Sequence, residues 1–98
     1  MTVKMERNDT ELTIYLDGRL DTITAPGFEE QLEPALDGVT KLILDFEKLE
    51  YISSAGLRVL VTAIQTMEEQ GEMILRNVCT DVMDVFEVTG FIDELTIE

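Results

Sequence analysis

Two adjacent serines, Ser53 and Ser54, are the residues of this chain whose position best suits chemistry. They follow an apolar segment that ends at Ile52 and precede a strongly helical stretch that begins at Ala55. A hydroxyl at a junction between strand and helix can cap the free backbone amides of the first helical turn. Capping is the common role of a serine in such a place, and it needs no partner.

A phosphate group suits the same junction. A phosphoserine carries roughly two negative charges, and the start of a helix offers unpaired N–H groups and a positive dipole end. We expect Gly56 to leave the backbone uncovered, so that a partner's active site can approach. The added charge on an acidic surface would weaken docking of any partner that fits the bare hydroxyl. The site is therefore suited to a two-state switch, with a simple cap as the open alternative.

Other catalytic chemistry has little support in this sequence. Histidine is absent, which removes the most frequent general base and metal ligand. Cys79 is the single cysteine, so it forms no internal disulfide, CxxC pair or thiolate zinc cluster. We expect its side chain to behave as a small buried apolar group. Asp45 lacks the acidic pair with which a phospho-aspartate receiver holds magnesium, and we interpret it as structural. No glycine-rich phosphate loop occurs. We predict no enzyme activity, no cofactor and no metal site.

The composition sets the class of partner. The 98 residues have room for one domain, 1–98, and 7 basic against 21 acidic residues give a formal net charge of −14. This charge disfavours nucleic acid and would steer the protein towards a basic partner surface. No apolar run approaches the roughly 18 residues of a membrane helix, and no signal-peptide stretch is visible. We expect a cytoplasmic protein without direct membrane insertion.

The first part of the chain predicts a β-hairpin. Val3–Arg7 reads as an extended segment, and Asn8-Asp9 is a turn signal. The segment Glu11–Leu16 then alternates polar and apolar residues, which is the period of a half-buried strand. We expect Asp17-Gly18 to close this strand.

A helix is predicted next. Thr22 or Thr24 could cap it, with Pro26 in its first turn, where proline is tolerated. Pro34 would kink this helix or end it early, and Asp37-Gly38 marks the exit.

The central part of the chain combines the best strand and the best helix. The continuous apolar run in Lys41–Phe46 predicts a strand that is covered on both faces. We expect a loop from Glu47 to Glu50 and then a helix over 55–70, which Gly71 stops.

The last part predicts a strand at Glu72–Arg76, a helix at Asp81–Val88 that ends at Thr89-Gly90, and an edge strand at Leu95–Ile97. A hairpin followed by alternating helices and strands indicates the α/β class, as a mixed β-sheet with an N-terminal hairpin and about three to four helices packed on it.

The segment Ser53–Leu57 resembles the signature of the STAS domain family, and of bacterial anti-sigma factor antagonists in particular. In that family a strand and a loop lead into Asp/Ser-Ser-Ser/Thr/Ala-Gly-Leu, which opens a helix. Leu16–Asp21 followed by Ala25-Pro26 is similar to the family's Gly-x-Leu-Asp loop, and Lys41–Phe46 is similar to its central strand. The likeness spans nearly the whole chain in the expected order.

The resemblance implies a STAS domain over residues 1–98 that takes part in a partner-switching cycle. The unmodified domain would bind a serine kinase of the histidine-kinase-like ATPase type, which also acts as an anti-sigma factor. Phosphorylation would end the binding, and a phosphoserine phosphatase would reset the cycle. STAS domains also serve in transport systems, so a STAS subunit of a membrane transport system is the alternative.

The resemblance also implies the site residues. By its position before Gly56-Leu57, Ser54 would be the phosphoacceptor; Ser53, where many relatives carry Asp, is the second choice. Asp21 would lie near the serine and orient the kinase or its nucleotide–metal complex. The implied partner-binding residues are Asp21, Thr22, Ser53, Ser54, Ala55, Gly56, Leu57 and Arg58, of which Arg58 is expected to face solvent.

Overall fold

A four-stranded mixed β-sheet carries the fold, and the computed structural model describes all residues from Met1 to Glu98. The strands lie side by side in chain order: β1 (Thr2–Asn8), β2 (Glu11–Leu20), β3 (Lys41–Ile52) and β4 (Glu72–Arg76). β1 and β2 form the predicted antiparallel hairpin, whereas β3 runs parallel to both β2 and β4. Asp9 turns the hairpin with a positive φ of 58°, a conformation that Asp tolerates better than most residues.

Three α-helices connect and follow the parallel strands: α1 (Ala25–Ala35), α2 (Ser54–Gln70) and α3 (Thr80–Thr89). A short 3-10 helix at Phe91–Glu94 leads to the C-terminus. The prediction of an α/β fold with an N-terminal hairpin and a mixed sheet is confirmed. The predicted edge strand at Leu95–Ile97 is reduced to one parallel bridge between Leu75 and Ile97.

Both central strands are longer than their patterns predicted. β2 continues through Asp17-Gly18 to Leu20, because register shifts and a positive φ of 115° at Gly18 let it bend without ending. β3 continues through the polar segment 47–50, in which Leu49 is buried while its neighbours face solvent. The predicted strand end at Asp17-Gly18 and the predicted loop from Glu47 to Glu50 were therefore wrong.

The core lies on one face of the sheet. Side chains of alternating strand positions meet the buried faces of all three helices in one cluster of 22 residues. β3 was predicted to be covered on both faces, but the helices lie on one face only, and Ile43 on the other face lies outside this cluster. Ile43 is nevertheless only 3% exposed, flanked by its register partners Thr13 and Ile74. One face of the sheet thus holds the helices in place.

The helix ends follow from local chemistry. Pro26 lies in the first turn of α1 as predicted, and Pro34 does not break the helix, which ends one residue later. α2 stops at Gly71, where any Cβ would collide with the carbonyl group of Thr40. None of the helices is long and apolar enough to span a membrane.

Candidate functional site

The ends of β2 and β3 place the start of α2. The backbone N–H of Ser53 donates to the carbonyl oxygen of Leu20 at 2.9 Å, which ties the residue after β3 to the last residue of β2. The carbonyl of Ser53 then accepts the first helical bond from Leu57 N–H, also at 2.9 Å. Ser53 has extended backbone angles (φ −100°, ψ 178°). It is the residue at which strand becomes helix.

The two serines have different surroundings. The Oγ of Ser53 is buried and has no hydrogen-bond partner, so this side chain does not cap the helix. Ser54 is the first residue of α2 and is exposed. Of the two hydroxyl groups, that of Ser54 is the one that an enzyme can reach.

Gly56 is buried against the strand ends. A Cβ at this position would lie 2.8 Å from Cγ of Leu20, 2.8 Å from Cγ1 of Ile52 and 2.9 Å from the carbonyl oxygen of Leu20. The expectation that Gly56 leaves the backbone uncovered for a partner was wrong. The missing side chain instead lets the first turn of α2 approach β2 and β3 closely.

The residues implied for partner binding therefore divide by exposure. Thr22, Ser54 and Arg58 are exposed, Asp21, Ser53 and Ala55 are half-buried, and Gly56 and Leu57 are buried. Leu57 is 8% exposed and belongs to the core. The exposed members can touch a partner, and the buried ones hold Ser54 in position.

The loop between β2 and α1 is organised by Asp21. Its Oδ1 accepts the backbone N–H groups of Ile23 at 3.0 Å and Thr24 at 3.1 Å. The hydroxyl of Thr24 donates to the carbonyl oxygen of Arg19 at 2.8 Å and accepts the N–H of Asp21 at 2.9 Å. The side chains of Asp21 and Thr24 thus form hydrogen bonds with backbone groups of the loop and fix its shape.

These bonds also fix the charge state of Asp21. The backbone N–H of Thr24 is the largest of the influences that hold the pKa of this carboxyl below its ordinary value of 3.8. Desolvation is the second largest influence and raises the pKa, whereas the N–H of Ile23, the Thr24 hydroxyl and the Arg19 guanidinium group each lower it to a lesser degree. Arg19 Nε lies 3.9 Å from Asp21 Oδ2. Asp21 is therefore an anion, and its carboxylate stabilises the loop between β2 and α1.

A groove open to solvent, of about 260 Å³, lies between the first halves of α1 and α2. Its lining comes from the loop between β2 and α1 and from both helices, and its basic side chain is that of Arg58. The lining residues are Thr22, Ala25, Pro26, Glu29, Ala55, Arg58 and Val59. Arg58 stands four residues after Ser54 on α2 and forms no salt bridge. Side chains at this spacing are neighbours on a helix, so an anion on Ser54 would have a free cation beside it.

Three exposed residues, at the ends of β2 and β3 and in the loop after β2, were not predicted from the sequence patterns. The Ile23 side chain is 89% exposed, and Tyr51 is 38% exposed with the Arg19 guanidinium carbon 4.4 Å from its ring centroid. A single apolar residue in a loop has no periodicity, so Ile23 gave no signal beyond its place between two threonines. The pairing of Arg19 with Tyr51 depends on the β2–β3 register, which followed from the unexpected strand extension.

The chain belongs to the STAS domain family, whose model matches residues 2–98. It is 38% identical over 94 residues to BtrV of Bordetella bronchiseptica, a candidate anti-sigma factor antagonist, covering 94% of this chain and 81% of that protein. It is 29% identical over 102 residues to the anti-sigma-B factor antagonist of Listeria monocytogenes, covering 100% of this chain and 89% of that protein.

The fold is also that of a solved anti-sigma factor antagonist. The unphosphorylated form of SpoIIAA superimposes with a TM-score of 0.77 at 22% sequence identity, covering 99% of this chain and 87% of that one. The phosphorylated form of a Bacillus SpoIIAA gives a TM-score of 0.76 at 23% identity, covering 99% of this chain and 91% of that one. At such identities the superposition shows the shared fold.

Proposed function

We propose that this domain is an anti-sigma factor antagonist whose binding is switched by phosphorylation of Ser54. The observation that carries the proposal is the contrast at the start of α2, where Ser54 is exposed and the Ser53 hydroxyl is buried. The relatives described as anti-sigma factor antagonists support the assignment as an antagonist. The domain supplies the substrate hydroxyl and the docking surface, while ATP and its metal ion belong to the partner.

Ser54 is placed so that a phosphate can be added without refolding the domain. The new group projects from the first turn of α2, near free N–H groups and the positive end of the helix dipole. Arg58 lies one turn further along the same helix. The phosphate therefore changes the surface rather than the core, and it adds roughly two negative charges to a chain of net charge −14.

The partner that this surface suits is a protein. We assign it as an anti-sigma factor that is also a serine kinase of the histidine-kinase-like ATPase type, acting in the cytoplasm. Its docking face would be complementary to an acidic domain with an exposed hydroxyl at the centre. A phosphate in that contact must be desolvated where the partner accommodates only a hydroxyl, which weakens the complex. A phosphoserine phosphatase would restore the binding form.

Phosphate mapping with matched serine variants tests this proposal. The purified chain, Ser54→Ala and Ser53→Ala are each incubated with the candidate kinase of the same genome, ATP and magnesium, and phosphate is located by mass spectrometry. We expect phosphate on Ser54 in the native chain and in Ser53→Ala, and none in Ser54→Ala. Phosphate on Ser53, or no phosphate from a kinase that is active on another substrate, would contradict the proposal.

A further inference from the structure

Ile23 is the most exposed of the large apolar side chains of this protein, at 89%. Only Val88, at 88%, is comparable, and the other exposed large apolar residues lie between 37% and 39%. Ile23 sits in the loop between β2 and α1, next to Thr22 of the groove. Full exposure of a branched apolar side chain is unfavourable in water, and covering it would gain free energy.

The backbone under Ile23 is fixed before any partner arrives. The N–H of Ile23 is held by Asp21 Oδ1 at 3.0 Å, and the hydroxyl of Thr24 ties the same loop to Arg19 and Asp21. A partner that covers Ile23 therefore has little backbone to order. Such pre-organisation is what allows one apolar side chain to contribute strongly to an interface.

The position of Ile23 links it to Ser54. Thr22, which precedes Ile23, lines the groove together with Ala55, which follows Ser54. A protein that grips the Ser54 hydroxyl closely enough to phosphorylate it covers this end of the groove. The loop that carries Ile23 then falls within the same contact.

The charge around the groove indicates what covers it. The lining holds one acidic side chain, Glu29, and one basic side chain, Arg58, so the acidity that acts on a partner is that of the whole chain, of net charge −14. A second copy of so acidic a chain is repelled, whereas a basic protein surface is attracted. The complementary surface is an apolar pocket for Ile23 on a protein of opposite net charge.

We propose that Ile23 is the apolar anchor through which the anti-sigma factor kinase holds the Ser54 face of this domain. The inference rests on the proposed function and adds to it the residue that supplies affinity. Phosphorylation of Ser54 determines whether the complex forms, and Ile23 supplies affinity for the kinase in the unmodified state. Phosphate added beside the anchor must be desolvated whenever Ile23 is seated, which couples the two residues.

The test compares Ile23→Ala with Val88→Ala, a matched removal of an equally exposed apolar side chain. Val88 lies at the end of α3, and the segment after α3 returns to the last turn of α2, where Leu95 lines a groove with Met67 and Gly71. This is the end of α2 opposite to Ser54. Both variants should keep the native melting temperature, because neither side chain is packed.

Binding of the kinase is measured by titration calorimetry, and phosphorylation of Ser54 by initial rates. For Ile23→Ala we expect the affinity for the kinase to fall by about tenfold or more. The KM should rise and kcat should change little, because the lost contact is equally strong in the ground state and in the transition state. For Val88→Ala we expect affinity within about twofold of the native chain.

The outcomes separate the anchor from the switch. An Ile23→Ala variant that binds like the native chain, while phosphorylated native chain is released, overturns the anchor and leaves the proposed function standing. A native chain that does not bind the kinase overturns both. A native dimer in sedimentation that Ile23→Asp dissolves overturns the anchor, because a second copy then covers Ile23.

Discussion

Gly56 and Leu20 touch so closely that any side chain at position 56 would collide with the last residue of β2, 2.8 Å from its Cγ. This contact sets the position of the first turn of α2, and with it the position of Ser54. The exposed serine therefore depends on a buried glycine two residues later. Because Asp21 follows Leu20 directly, the same contact places the start of the loop between β2 and α1 beside α2.

Gly56→Ala should destabilise the domain although alanine favours helices. We expect the free energy of unfolding to fall by about 1–3 kcal/mol, since overpacking outweighs the roughly 1 kcal/mol of helix propensity gained. Gly27→Ala in α1 is the control, because nothing lies within 4 Å of its added Cβ. That variant should be more stable than the native chain by up to about 1 kcal/mol. Urea unfolding measures both, and equal stabilisation by the two substitutions would contradict the packing role of Gly56.

Ser53→Ala separates a buried unpaired hydroxyl from a helix cap. A capping serine replaced by alanine costs about 1 kcal/mol, whereas removal of a buried hydroxyl that bonds nothing costs little or stabilises. Because Ser53 Oγ has no partner, we expect the free energy of unfolding to stay equal or to rise. A loss of about 1 kcal/mol or more in urea unfolding would show that this hydroxyl caps α2 after all.

Phosphorylation of Ser54 should stabilise the isolated domain. The phosphate meets the N-terminal dipole of α2 and the free guanidinium group of Arg58, and we expect a gain of about 0.5–1 kcal/mol at low salt. Thermal unfolding of the modified and unmodified chains measures the gain. In Arg58→Ala, part of the gain should be lost. A phosphorylated chain that is less stable than the unmodified one would mean that the group strains the helix start.

Asp21 should make the stability depend on pH in the acid range. Its pKa is lowered in the folded state, so its contribution is complete above the ordinary value of 3.8 and is lost as the pH falls through the lower folded value. We expect Asp21→Asn, which keeps an oxygen acceptor but no charge, to be less stable than the native chain at pH 7. The difference should shrink as the pH falls below 3.8. A difference that stays constant over this range, followed by urea unfolding, would show that the charge of Asp21 does not stabilise the loop.

The order of strands and helices could be predicted from the sequence because each element has a clear period or a clear stop. The hairpin could be predicted from the alternation of polar and apolar residues in Glu11–Leu16. The helix α2 could be predicted from the helical pattern of apolar residues over 55–70. The extension of β2 past Gly18 was not predictable from those periods, because a bulge interrupts the alternation.

The site was predicted as a segment rather than as a set of contacts. The resemblance named Ser54 first and left Ser53 as second choice, and only the burial of each hydroxyl distinguishes them in physical terms. Gly56 was interpreted as an opening for a partner because a sequence does not show that Leu20 and Ile52 lie against it. Ile23 gave no signal, since the exposure of a lone loop residue depends on the packing around it.

The most direct test of the switch is the affinity of the anti-sigma factor kinase for four forms of the chain, measured by titration calorimetry. These are the unmodified native chain, the chain phosphorylated on Ser54, and Ser54→Ala, with Ser54→Asp as a mimic. We expect Ser54→Ala to bind like the unmodified chain and the phosphorylated form to bind at least about tenfold more weakly, a difference of roughly 1.4 kcal/mol or more. Equal affinity of the phosphorylated and unmodified chains would contradict the proposed switch.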